Sequence, residues 1–213
     1  MLDIHTHFNF QGLIDVSEDF SLVEKSSVFS VGIHPNKLKT ISNLEDYLEN
    51  IKLLVNDKKC AAIGECGLDK FAQLDLVQQE KVFLSQVEIA KQYSKPLIIH
   101  CVRLFNEVER ILKQQKFSLP VVFHGFNANQ VVVKHLLKSP NFYFSLSEKM
   151  LQEKNNIFKS LSLIPLEKIL VESDTDQNTD FYGLIKKIAE IKQFDFQVVK
   201  STIETNFKNI VLL

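Results

Sequence analysis

Eight short apolar or β-branched runs, with helical periodicity between most of them, constrain the fold more than any other feature of this chain. They are "MLDI", "GLIDV", "SVFSVGI", "CAAIG", "KPLIIH", "PVVFH", "NFYFS" and "EKILVE". The clearest helix follows Leu74, with Leu76, Phe83, Val87 and Ala90 on one face and Gln78, Lys81 and Gln86 elsewhere. Further helices are expected near 43–55, 104–116, 128–139, 150–162, 180–192 and 197–209. Strands alternating with helices imply a parallel sheet covered by helices. Eight such units suggest a closed (β/α)8 barrel, with a doubly wound open sheet as the rival.

At 213 residues the chain is short for such a barrel, which typically takes about 250. Only about twenty residues separate "DIHTH" from "VGIHPN", and about forty follow the last candidate strand. The second strand is therefore expected to be degenerate, and the first helix missing or a single turn. The sequence contains no internal repeat, low-complexity tract or linker, so a single domain over 1–213 is expected.

A net charge of -1 gives the molecule no overall field that would gather nucleic acid, so any phosphate binding must be local. Only Arg103 and Arg110 are arginines; the lysines read as a solvated surface. No run approaches the length of a membrane span, and strand-like sequence from Leu2 onward shows no basic leader. Cys60, Cys66 and Cys101 form no CxxC pair. These features point to a soluble, cytoplasmic protein with free thiols, no membrane contact and no evident obligate protein partner.

Polar residues gather where the candidate strands end. His5 and His7 close the first, His34 follows the third, Glu65 the fourth, His100 and His124 end two more, and Glu172 and Asp174 finish "VESD". In a (β/α)8 barrel those ends share one mouth, where the active site is normally found. Alternation lets His5 and His7, and likewise Glu172 and Asp174, point to the same side. Taken singly, each residue has an ordinary explanation: a buried hydrogen-bonded histidine, a helix cap, a turn aspartate. Together they have not, because a core has no use for so many desolvated imidazoles. Imidazole with carboxylate suits zinc, manganese or iron, magnesium preferring more oxygen. Two metals fit if one carboxylate bridges them. His135 is left as a helix residue without a role, and the seventeen phenylalanines read mostly as core, although Phe8, Phe10 and Phe126 could line the mouth and stack on a base.

At this point the chain resembles the TatD family of metal-dependent deoxyribonucleases in the amidohydrolase superfamily. "DIHTH" looks like its HxH motif, "VGIHPN" its GxHP, "AIGECGLD" its GExGLD, "KPLIIHCVR" its PLxIHxR, "FHGFNAN" its HxF segment, "VESD" its ExD, and "STIETNFKNI" its terminal helix. The resemblance implies a TIM barrel holding one or two divalent ions (Mg, Mn or Zn). By motif position His5, His7, Glu65 and Asp174 would hold one metal and Glu65, His100 and His124 the other, with Glu65 bridging. Asp174 and Glu65 would be catalytic, and Glu172 and Asp69 would stand behind the ligands. Arg103, His34 and Phe126 would bind substrate, Arg103 as a planar fork for phosphate. The substrate implied is DNA, single-stranded or at 3′ ends, cleaved as by a 3′ exonuclease.

The chain departs from the family pattern in places. Asp174 is followed by Thr175 and Asp176 rather than a small residue and proline, and Lys70 stands where an aromatic is common. The substrate loop after the last strand shrinks to "TDQNTDFYG". The shortened rim motivates a second reading, hydrolysis of a small phosphate ester, lactone or amide. A third is a metal-binding protein without turnover.

Overall fold

The computed structural model describes residues 2–9 and 11–211; Phe10 lies outside the described residues. Among these, seven strands form one curled sheet: β1 (Ile14–Asp15), β2 (Phe29–Val31), β3 (Cys60–Asp69), β4 (Leu97–Val102), β5 (Val121–Phe123), β6 (Phe142–Leu146) and β7 (Ile169–Val171). They lie in sequential order and every neighbouring pair is parallel. A doubly wound sheet reverses its strand order part-way. This one does not, so the rival fold is set aside and the architecture is TIM-barrel-like.

The expected eighth strand is not a regular one. Residues 3–6 make isolated bridges, Asp3 to Val171 and Thr6 to both Ile14 and Asp174, so the segment touches the two edges of the sheet. Side chains here compete for the backbone. The Asp3 carboxylate accepts from Ser173 N and Oγ, and Thr6 Oγ1 accepts from Phe8 N and Asn9 N. The degenerate second strand is the two-residue β1, and among the described residues the helix before β2 is a single turn, α1 (Leu22–Lys25).

The remaining helices are α2 (Leu44–Leu54), α3 (Leu76–Gln92), α4 (Phe105–Gln114), α5 (Gln130–Leu136), α6 (Asn156–Ser160), α7 (Phe181–Lys192) and α8 (Phe196–Val211). The helix expected over 150–162 is broken into α6 and flanking 3-10 turns at Glu148–Leu151 and Leu161–Leu163. Asn155 Nδ2 donates to Lys149 O and Ser160 Oγ to Ala128 O, again drawing polar side chains onto main chain. No helix among the described residues is long and apolar enough to cross a membrane.

Strand alternation sorts the core into two parts. Leu97, Ile99, Val121, Phe123, Ile169 and Val171 pack against the helices. Ile98, Val122 and Leu170 face the other way, onto Ile4, Leu13 and Ala62, where Phe207 and Ile210 of α8 join them. Asn206 fixes α8 there, its Nδ2 donating to Leu166 O and Ile169 O. Two residues further along each strand, the inward side carries His100, His124 and Glu172.

His135 has a partner after all. Its Nε2 lies 2.5 Å from Glu109 Oε2, while Lys113 Nζ is 2.9 Å from Oε1. Burial alone would raise the Glu109 carboxyl; the hydrogen bonds from Lys113 and His135 and their charges outweigh it and hold it below the usual carboxylate range. A depressed folded pKa contributes stability that is present above the unfolded value near 4.5 and is lost as pH falls through the folded one. Both partners are partly in water, so Glu109→Gln is expected to cost only about 1 kcal/mol at pH 7. Urea melts as a function of pH should show that difference shrinking in acid; a constant difference would mean packing, not charge.

Candidate metal centre

The centre is built around Glu65. Continuous alternation along β3 from Ala62 would turn position 65 away from the sheet interior, but the β3–β4 register shifts between Ile63 and Cys66. The irregularity re-aims the chain, and the carboxylate, 5% exposed, points into the histidines. Its two oxygens are divided between them. Oε2 lies 3.3 Å from His5 Nε2 and 3.9 Å from His7 Nε2. Oε1 lies 2.7 Å from His100 Nδ1, 2.5 Å from His124 Nε2 and 3.3 Å from His34 Nε2. Asp174 Oδ1 completes the first side, 3.8 Å from His7 Nε2 and 4.0 Å from His5 Nε2.

Behind the ligands, Asp69 follows the carboxylate–imidazole pattern common to metal sites, which fixes ring orientation and tautomer, and Glu172 places a second carboxylate near His124. Asp69 Oδ2 is 3.2 Å from His100 Nε2. Glu172, fully buried, places Oε1 3.7 Å from His124 Nδ1 and accepts from Gly125 N at 2.6 Å. Both arrangements leave the opposite ring nitrogen aimed at Glu65. His34 differs. Its Nδ1 accepts from Asn36 N, so the proton of the neutral ring sits on Nε2 and faces Glu65 as a donor. That suits a contact to an anionic oxygen better than a metal bond.

Electrostatics bind the cluster together. Burial alone would raise Glu65; the His124 charge and hydrogen bonds from His100, His124 and His34 overcome it and hold the carboxyl well below the usual range. Burial alone would lower His124; Glu65 and Glu172 instead lift it well above the ordinary histidine value. The donor set fits a divalent cation on a geometric ground as well. Both ring nitrogens of His5 are buried without a hydrogen-bond partner, Nε2 lying near Glu65 but off the line a hydrogen bond needs. A cation there satisfies an atom that the protein leaves unpaired. The donor atoms of His5, His7, Asp15 and Glu65, and those of His5, His124 and Asp174, each lie within 4.8 Å of one another.

Asp15 was not singled out in the sequence. Its Oδ1 accepts from Ser17 N, its Oδ2 from Glu65 N at 3.3 Å, and it ends β1 just as the other polar residues end their strands, which is the signal that could have found it. Gln86 was placed away from the apolar face of α3, yet it is buried, its amide pairing with both Ile33 N and O next to His34.

A cavity of about 590 Å³ opens over the centre, with His7, His34, Glu65, His100, His124 and Asp174 in its wall. Two of the expected substrate contacts lie elsewhere. Arg103 lines a neighbouring cavity of about 510 Å³ with Gly125 and Asn127. Phe126 is 1% exposed and packs on Phe105, Phe123 and Phe144, because Gly125 at φ 52 turns the chain back into the core. It is a core residue and not a substrate contact. Cys60 and Cys66 are buried; burial pushes the Cys60 thiol up to about 12 and raises Cys66 and Cys101, so none has the low thiol pKa of a reactive cysteine.

A TIM-barrel-like sheet with imidazoles and carboxylates at its strand ends defines the class of metal-dependent hydrolases. The sequence profile of the family described as "TatD related DNase" matches residues 13–211. This chain belongs to that family. An uncharacterized metal-dependent hydrolase of Mycoplasma pneumoniae is 30% identical over 84% of this chain and 76% of its own length. Bacillus subtilis YabD, likewise a metal-dependent hydrolase by name, is 29% identical over 85% of this chain and 76% of its own. Among solved structures, the TatD homologue YJJV of Escherichia coli superposes with a TM-score of 0.86 at 19% identity, covering 99% of this chain and 97% of its own. The phosphotriesterase homology protein of Escherichia coli, which holds phosphate in its active site, superposes at 0.64 with 14% identity over 90% of this chain and 79% of its own.

Proposed function

We propose that this protein hydrolyses phosphodiester bonds of DNA, working from 3′ ends, in a reducing cytoplasm compatible with its free thiols. The observation that carries the reading is the division of the Glu65 oxygens between two sets of imidazoles beneath an open cavity. Divalent ions bound there supply Lewis acidity and offset charge on phosphate oxygens. The chain's own groups do the rest. Asp174, 35% exposed at the side chain, faces the cavity and can take a proton from the attacking water. His34 offers Nε2–H to an anionic oxygen, while Asp69 holds the His100 ring in place and the Glu172 charge favours the protonated His124 ring.

A second reading is hydrolysis of a small phosphate ester, lactone or amide. It is favoured by one observation: Lys37 is the sole lysine or arginine lining the 590 Å³ cavity, a volume ordinary for a small-molecule site.

The test is incubation with 3′- and 5′-labelled single-stranded DNA and magnesium or manganese, beside Asp174→Asn prepared identically. Wild type should degrade DNA, and the variant should lose about 10²- to 10⁴-fold in kcat. DNA left intact by wild type, with small esters or amides turned over, would favour the second reading.

A further inference from the structure

The loop after β3 carries Phe71, whose ring is 67% exposed. It is nonetheless firmly anchored. Phe71 N donates to Asp69 Oδ1 at 2.8 Å, and Oδ2 of the same carboxylate is the group beside His100 Nε2. Gln79, buried on α3, secures both ends of the loop: its Nε2 donates to Asp69 O and Leu74 O, and its Oε1 accepts from Asp69 N. An exposed aromatic ring is thus tied to an imidazole of the metal centre through one carboxylate.

Arg103 stands over that ring, its guanidinium carbon 5.6 Å from the ring centroid. The other arginine, Arg110, is neutralised by Glu80 at 2.6 Å, whereas Arg103 forms no ion pair among the described residues. Its backbone is held at φ 60, a left-handed conformation that costs a non-glycine residue about 1 kcal/mol. Arg103 also lines the cavity that adjoins the metal cavity across the ends of β4 and β5, where Asn127 and Asn129 add polar groups.

An exposed aromatic ring with a guanidinium lying over it, the guanidinium without an ion pair among the described residues, is a combination that seats a nucleotide, the ring taking a base on its solvent side and the guanidinium a phosphate. A purely apolar partner would strand the guanidinium, and duplex DNA keeps its bases stacked on each other. We propose that Phe71 and Arg103 form a platform for the nucleotide next to the scissile phosphate of single-stranded DNA, making the enzyme selective for oligonucleotides over small phosphodiesters. This rests on the DNA reading above.

The experiment compares wild type with Phe71→Ala, Phe71→Tyr and Arg103→Ala, all checked for unchanged thermal melts. Binding of fluorescein-labelled hexathymidylate is read by anisotropy in EDTA, so that it needs no turnover. Turnover is read with manganese as the ratio of kcat/KM on hexathymidylate to that on bis(4-nitrophenyl) phosphate. Phe71→Ala is expected to weaken binding about tenfold and to lower the ratio about as much, chiefly through KM, with Phe71→Tyr restoring both. Arg103→Ala should also flatten the salt dependence of binding by roughly one phosphate contact. Phe71→Ala within twofold of wild type in both readouts, or Phe71→Tyr as impaired as Phe71→Ala, overturns the platform while DNA cleavage by wild type still stands. Wild type that turns over the small diester but neither binds nor cleaves hexathymidylate overturns the DNA reading, and the platform with it.

Discussion

Glu65→Ala is expected to lower kcat/KM by at least about 10³-fold, roughly 4 kcal/mol, and to remove tight metal binding from both halves of the centre at once. The two Glu65 oxygens are shared between the two sets of imidazoles: Oε2 meets His5 and His7, while Oε1 meets His34, His100 and His124. Glu65→Gln keeps the volume and separates charge from packing, because the surrounding histidines, acting against burial, hold the native group ionised. Asp69→Asn, acting one bond further out through His100, should weaken metal affinity only about 10- to 100-fold. Metal content by mass spectrometry and calorimetric titration would rank the three. Glu65→Gln with wild-type stoichiometry would remove the bridging role, and wild-type turnover in it would remove the hydrolase assignment built on this site.

Some of that geometry was visible in the sequence for a simple reason. Ile98, Val122 and Leu170 face inward, strand alternation repeats every second residue, and so His100, His124 and Glu172 follow them to the same side. Glu65 carried the right chemistry, but its inward aim depends on the register shift after Ile63, a backbone irregularity that a hydrophobic pattern does not encode. Asp15 hid in a strand two residues long. Gln79 and Gln86 are polar residues buried to serve backbone groups of neighbouring loops, which helical periodicity assigns to solvent. Arg103 and Phe126 lie beyond the ends of β4 and β5, where left-handed residues, Arg103 itself and Gly125, redirect the chain and alternation stops applying. The first strand failed as a regular element because Asp3 and Thr6 spend their side chains on main-chain donors.

Gly67→Ala is expected to destabilise the fold by at least about 3 kcal/mol, enough to deplete the soluble protein. Gly67 pairs with His100 across β3 and β4, at φ 140, a conformation that residues with a Cβ rarely adopt. A methyl group there would meet His100 O at 2.0 Å, and a main-chain carbonyl in a central ladder cannot swing aside as a side chain could. Relief requires β4 to move, and β4 carries His100, so any folded fraction should also bind metal poorly. Gly125→Ala is the matched control. It too places a Cβ at positive φ, 52, but its nearest neighbour would be Glu172 Oε1 at an ordinary 3.8 Å, so it should cost only about 1 kcal/mol. Urea denaturation of the two variants separates collision from conformational strain. If Gly67→Ala proved no less stable than Gly125→Ala, the close approach of β3 to His100 could not be what fixes the histidine in the centre.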